Sequence, residues 1–341
     1  MHTTSTSNTL IVVLNWNGIE DTLQCLDSLL QQSYKHAHVL VVDNGSVDNS
    51  KLLLDEYQSQ HAEEIDVVYN PANFGFAGGV NTGIEWALNE EYEYVALFNN
   101  DATADKNWLK NLVKAIEPEE VGISTGLLLH EDGKTIDSTG EFYSLWGLSF
   151  PRGRGHKTST KPKAGSVFGA TGGASLYKTA LFKDIGLFDE DFFAYYEDAD
   201  ISFRAQLAGW KVAYTSEAIA YHKQGATSKK IPGFTIYQTF KNLPMLFLKN
   251  VPAGLLLPIG ARFYFAYWLI LGNAIAHGNG LPAIKGAFMS WLLGFKKLGE
   301  RWHIQRDRRA TTAYIKSILW NDLPPDQTGL RKVRKFFTGK G

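Results

Sequence analysis

The sequence predicts an α/β protein built on a mostly parallel, doubly wound sheet. Strand-like apolar runs alternate with helix-periodic segments through the first hundred residues, and four successive runs end in Asn or Asp, where such sheets bind ligands. The 341 residues are 44% hydrophobic and 20% charged, which excludes a disordered, collagenous or coiled-coil chain. The length suits two domains of roughly 100 to 200 residues each, or one large domain with an appendage.

LIVVL (Leu10 to Leu14) reads as a buried strand. From Glu20 to about Gln32, Leu23, Leu26, Leu29 and Leu30 fall at helical spacing, and HVLVVD (His38 to Asp43) is a second strand, completing a βαβ unit. Asp48 or Ser50 caps a helix reaching Gln60; DVVY (Asp66 to Tyr69), a helix from about Gly78 to Asn89 and YVALF (Tyr94 to Phe98) continue the alternation. Turn chemistry accounts for Asn and Asp in any single loop. Asn15 and Asn17, Asp43, Asn73, and Asn99, Asn100 and Asp101 together on one rim point to a site.

Past Ala164 the pattern changes. EDAD (Glu197 to Asp200) opens a helix that runs to Leu207 and stops at Gly209, followed by the strand-like KVAYT and IAYH. Residues 151–165, basic and non-periodic, are expected to form a mobile loop. Residues 251–276 and 281–295 are strongly apolar, yet Pro252, Pro258, Pro282 and Arg262 argue against a straight membrane-spanning helix. An amphipathic pair of helices lying on a surface, followed by a basic tail, fits better.

Residues 285–341 carry a charge balance of +9 and residues 1–284 one of −10, so the two ends meet different partners. Phe263, Tyr264, Tyr267, Trp268 and Trp291, with Lys296, Lys297, Arg301, Arg306, Arg308 and Arg309 downstream, suit an anionic membrane. A helical subdomain packed on the core, with a solvated tail, is the plainer account. The polar start MHTTSTSN lacks the basic and apolar regions of a secretory signal, and Cys25 is a single cysteine, so a cytosolic, reducing location is expected.

Each chemical motif has a structural alternative. NFGFAGGVN (Asn73 to Asn81) would aim backbone N–H groups at an anion, or simply let a helix approach a strand. Asp101 at the end of NND would hold a hard cation, or cap a helix. Glu197 and Asp198 would supply a general base beside the aromatic run Phe192, Phe193, Tyr195 and Tyr196, or stabilise a helix dipole. His222 alone is a structural residue more often than a ligand.

In their order VVLNWNG, VVDNGSVDNS, NFGFAGGVNTGI, LFNND, TGGASLYK, FFAYYEDADISFRAQLAGW and AYH, these segments resemble the family 2 glycosyltransferases of bacterial surface-polysaccharide assembly, particularly the rhamnosyltransferase-like branch. The likeness spans about Leu10 to Ser228. It implies a GT-A nucleotide-diphospho-sugar transferase fold over residues 1–232, a membrane-associating or acceptor-side extension over 233–341, and an inverting displacement. By carry-over, Asp43 reads the pyrimidine N3–H, and Asn15, Asn17, Asn73, Gly75, Gly79, Asn99 and Asn100 lie in segments lining the donor. Asp101 matches the last position of the DxD motif and His222 a position that completes the shell of Mg²⁺ or Mn²⁺. Asn99 stands where the motif's first acid is expected, which leaves less charge for the metal. Asp198, preceded by Glu197, matches the catalytic base, and Gly172 and Gly173 match the acceptor loop.

The implied donor is a UDP- or dTDP-sugar and the acceptor a glycan or lipid-linked glycan at the inner membrane face, with no nucleic-acid partner. Two rival readings are a dinucleotide-dependent oxidoreductase, against which the missing GxGxxG speaks, and a non-catalytic sugar-nucleotide-binding protein, which Asn99 suggests.

Overall fold

The computed structural model describes residues 8–223, 231–325, 327 and 329–331. The polar start, most of the loop after His222 and the end of the basic tail lie outside the described residues. The chain begins β1 (Thr9–Asn15), α1 (Ile19–Leu30), β2 (Ala37–Asp43), α2 (Ser50–Gln60), β3 (Ile65–Tyr69), α3 (Gly75–Asn89) and β4 (Tyr94–Asn99). There follow β5 (Ala102–Ala104), α4 (Trp108–Ile116), β6 (Val121–His130), β7 (Ile136–Ser138), β8 (Glu141–Tyr143), β9 (Ser149–Pro151), β10 (Gly165–Val167), β11 (Ala174–Lys178), α5 (Thr179–Ile185), α6 (Glu197–Leu207) and β12 (Lys211–His222). The chain continues with α7 (Phe234–Asn250), α8 (Ala253–Ala276), α9 (Gly280–Arg306) and α10 (Thr312–Ile318).

The main sheet runs β10-β12-β6-β11-β4-β1-β2-β3. β3, β2, β1 and β4 are parallel, as expected, so their carboxyl ends share one rim. β11 is antiparallel between β4 and β6, which makes the second half mixed. Alternate strand residues feed opposite faces, as a period of two requires. Ile11, Val13, Val39 and Val41 pack with α1 and α4, while Leu10, Val12, Leu40 and Val42 pack with α3.

Two expectations need correction. KVAYT and IAYH form one strand, β12, whose pairing with β6 is interrupted between Tyr214 and Ile219, and this irregularity hid its continuity. Residues 151–165 are tied down rather than loose: Arg152 N donates to Gly140 O at 2.8 Å, and Arg154 pairs with the buried Asp137 at 2.9 Å.

The C-terminal helices share a core with the sheet domain, in which Tyr143, Phe168, Phe192 and Phe203 meet Phe240, Leu246, Phe247 and Phe263. Pro244 sits inside α7 and removes the amide that would serve Phe240 O. Tyr267 Oη of α8 donates to that carbonyl at 3.0 Å. Pro252 precedes α8, Pro258 falls in its second turn and Pro282 in the first turn of α9, so none breaks a helix midway. Among the described residues α8 is the one helix long and apolar enough to cross a membrane, with 39% of its most apolar window buried in the fold.

Candidate active site

The first four strand ends build one polar network. Asp43 is buried at the end of β2; its Oδ1 accepts from Asn15 Nδ2 at 2.7 Å and Ser46 Oγ at 2.6 Å, and its Oδ2 from Ser46 N at 3.1 Å. Asn15 Oδ1 accepts from Thr22 Oγ1 at 2.8 Å, and that hydroxyl accepts from Asn100 Nδ2 at 2.9 Å. Asn17, in the left-handed region, donates its amide to Ser46 Oγ at 2.9 Å. Two donors crowd Asp43 Oδ1, whereas Oδ2 takes one and keeps acceptor capacity for an incoming N–H.

Asn73 Oδ1 accepts from Gly75 N at 2.8 Å and Asn44 Nδ2 at 3.0 Å. Asn44, fully buried, organises this loop through both ends of its amide: Oδ1 also accepts from Asn70 Nδ2 and Phe74 N. In the sequence Asn44 is one of the polar residues that follow the second strand, where turn chemistry alone accounts for it.

The glycine-rich segment differs from the expected anion cradle. The amides of Phe74, Gly75 and Ala77 already donate to Asn44, Asn73 and Phe193. Gly79 serves close packing, since a Cβ there would stand 2.4 Å from Leu14. Gly75, at φ +74°, lies against Phe193, whose carbonyl oxygen would be 2.3 Å from an added Cβ.

Across the rim, β12 delivers His222 to Asp101. His222 Nε2 is 2.9 Å from Asp101 Oδ1 and 3.3 Å from Asn99 Nδ2, and Nδ1 is 2.8 Å from Asp137 Oδ2. Burial opposes charge on the ring, but the bonds to both carboxylates outweigh it and raise its pKa to about 9. At neutral pH an imidazolium therefore bridges Asp101 and Asp137. Asp137, the middle residue of β7 and paired with the Arg154 guanidinium, had no distinguishing signal in the sequence.

This donor set fits a divalent cation. A carboxylate oxygen and a ring nitrogen converge, with a second carboxylate orienting the ring from behind, and a cation would replace the proton on Nε2. A different trio, Asp189, Asp191 and Glu300, is also close enough to share an ion. There the ammonium of Lys297 already sits 2.5, 2.8 and 2.8 Å from the three carboxylates.

Asp198 lies in the first turn of α6, partly exposed, and its Oδ2 accepts from Gly172 N at 3.1 Å. Burial raises its pKa above the usual carboxylate range, with the Gly172 and Ala199 amides pulling the other way. Glu197 beside it is buried with Oε2 unpartnered; desolvation first, then the Asp198 charge, push it up to about 8. Gly173 O accepts from Asn99 N at 2.9 Å. The Gly172–Gly173 loop thus touches the Asp198 carboxylate with one residue and the Asn99 end of the Asp101–His222 pair with the next. A Cβ at Gly173 would come within 3.0 Å of the Asn99 amide.

Residues 10–186 match the family model for glycosyl transferase family 2. The chain is 25% identical over 238 residues to the low-salt glycan biosynthesis hexosyltransferase Agl10 of Haloferax volcanii, covering 68% of this chain and 73% of that one. It is 25% identical over 226 residues to the rhamnosyltransferase WbbL of Escherichia coli K12, covering 62% and 82%. Two further relatives are matched over only 42% and 47% of their own length. Among solved structures, the mannosyltransferase PcManGT from Pyrobaculum calidifontis, in complex with GDP-Man and Mn²⁺, superposes with a TM-score of 0.55 at 16% identity, covering 88% of this chain and 85% of that one. That likeness shows the GT-A fold expected from the sequence.

Proposed function

Because the chain belongs to glycosyl transferase family 2, we propose that it moves a sugar, rhamnose among the candidates, from a UDP- or dTDP-sugar to a glycan or lipid-linked glycan acceptor with inversion at the anomeric carbon. The observation that carries this reading is the Gly172–Gly173 loop, which separates a carboxylate with raised proton affinity from an Asp–His pair suited to a cation. Inverting transfer needs two such groups on opposite sides of the sugar.

In this reading Asp43 Oδ2 accepts the pyrimidine N3–H, and the Asn15, Asn17, Asn73, Asn99 and Asn100 ends hold the donor. Asp198 takes the acceptor hydroxyl proton while the new bond to the anomeric carbon forms and the bond to the diphosphate breaks. Mg²⁺ or Mn²⁺ held by Asp101 and His222 would offset the charge that gathers on the leaving diphosphate.

In the same reading residues 233–341 are a membrane-associating or acceptor-side extension. Leu281, Ile284, Phe288, Trp291, Phe295, Leu298 and Trp302 recur at three- and four-residue spacing along α9, and all are exposed. Exposed Trp268 of α8 and the exposed Arg262 and Lys285 accompany them, which suits the anionic cytoplasmic leaflet, whereas Lys296 is paired with Asp191 at 2.7 Å. The expected basic contribution is smaller than the sequence suggests, because Lys297 is buried in ion pairs and Arg309 pairs with Asp184.

Thermal unfolding with UDP, dTDP, GDP and NAD, with and without Mn²⁺, tests the donor site. A ligand at 100 times its dissociation constant stabilises by about 2.7 kcal/mol. Stabilisation by UDP or dTDP that needs Mn²⁺ and disappears in Asp101→Ala is expected; stabilisation by NAD alone would overturn the reading. Asp198→Asn should abolish transfer and leave nucleotide binding intact.

A further inference from the structure

The turn before Asp198 is built from conformations that side chains avoid. Phe193, Tyr195 and Tyr196 adopt φ of +61°, +68° and +72°, so three of the four residues preceding α6 are left-handed without being glycine. Such a turn persists only where its surroundings over-determine it. It also leaves a run of carbonyls with no helical or sheet partner.

Those carbonyls are gripped from α7. Asn242, fully buried, directs Nδ2 at Phe192 O, Ala194 O and Tyr195 O at 2.9, 2.9 and 2.7 Å. Lys241 Nζ adds Asp191 O at 2.8 Å and Phe192 O at 3.2 Å. Asn242 Oδ1 has no partner, so the carboxamide is used wholly as a donor to this turn. The same turn reaches the donor side, where Phe193 O accepts from Ala77 N at 3.1 Å. Two neighbouring residues of α7, Asn242 with three of the contacts, therefore hold the strip of backbone that lies between the start of α3 and the first turn of α6.

We propose that Asn242 is a positioning residue of the transfer step, holding the 192–196 turn so that Asp198 stays aimed at the sugar beside Gly172. The inference deepens the reading given above and rests on Asp198 as the base. Nothing in the sequence of α7 announces it, because Asn in a helix is unremarkable until the partner backbone, 47 to 50 residues earlier, is in place.

Asn242→Leu keeps the branching and the number of heavy atoms of the side chain and removes the donor. The variant is compared with wild type for UDP or dTDP release from the fastest donor in a panel of UDP- and dTDP-sugars, for nucleoside diphosphate affinity, and for hydrogen exchange over residues 192–199. A displacement of the base on the order of 1 Å should lower kcat about 100-fold. Nucleotide affinity should hold, and the amides of the turn should exchange faster. Unchanged kcat and unchanged exchange would overturn the proposal, and so would parallel loss of kcat and nucleotide affinity, which marks general disruption. If Asn242→Leu does not fold, Asn242→Ser, which keeps one donor, is judged by the same criteria. Asp198→Asn is measured alongside. Retained turnover there removes the base reading, whereas an inactive Asp198→Asn beside an unimpaired Asn242→Leu removes the positioning role alone.

Discussion

His222 Nδ1 and Asp137 Oδ2 lie 2.8 Å apart across 85 residues of chain, and the other nitrogen of the same ring reaches Asp101. A ring held from behind cannot swing, so its second nitrogen has one direction to offer a cation. Asp137→Asn removes the charge that orients the ring and favours its binding form. Mn²⁺ affinity, measured by calorimetry in the presence of UDP, should weaken about 10- to 100-fold. Equal affinity in the two proteins would show that His222 needs no such support.

The pH dependence of turnover follows from Asp198. Its proton affinity is raised, first by burial, so the acidic limb of kcat/KM should lie above the ordinary carboxylate range. A limb at about pH 4 would mean that the base titrates as a solvated Asp.

Glu197 makes a separate prediction for stability. Its folded pKa of about 8 exceeds its ordinary value of 4.5, so the folded state binds the extra proton between those limits. Its contribution is complete below about pH 4.5 and is lost as pH rises through about 8. Glu197→Gln should therefore shrink the fall in unfolding free energy between pH 5 and 8, as read by urea denaturation. An undiminished fall would place the titrating group elsewhere.

Lys297 is fully buried on α9, and its ammonium holds Asp189, Asp191 and Glu300 together; Lys249 joins Asp189 to Asp200 nearby. Lys297→Met removes the ammonium common to the three carboxylates, which keep only Lys249 and Lys296, and should cost roughly 1 to 3 kcal/mol of stability. A loss within a few tenths of a kcal/mol would show that water replaces the ammonium without penalty.

The outer face of α9 is testable without any substrate. Replacing Trp291, Phe295 and Trp302 together by Ser removes three exposed apolar side chains, and binding to anionic vesicles should fall more than about tenfold. Sedimentation of the wild type without lipid supplies the contrast. A stable dimer that the triple variant abolishes, with vesicle binding unchanged, would assign the stripe to a second copy of the chain.

The alternation of the first hundred residues was readable because parallel strands buried on both faces are short runs of Val, Ile and Leu, and helices keep a 3.6-residue period; both signals are local. The polar ends of those strands were readable for the same reason, and with them Asp101 as a candidate, whereas Asp198 and His222 stood out through the order of motifs that resembles the family. The sequence by itself determined the order of elements through β4, the half of the sheet that is parallel and the family; β5 to β9 and α4 were not legible in it. Tertiary structure alone decided which charges face inward and which polar groups meet. Lys297 and Lys296 are neighbours in an apparently basic tail, yet the first is sealed between Asp189, Asp191 and Glu300 while the second is exposed and meets Asp191 from the surface. Asp137 behind His222, Asn44 under the donor loop and Asn242 behind the Asp198 turn are of the same kind. Each acts through a hydrogen bond to a distant segment, and a hydrogen bond leaves no periodicity in the residues that make it.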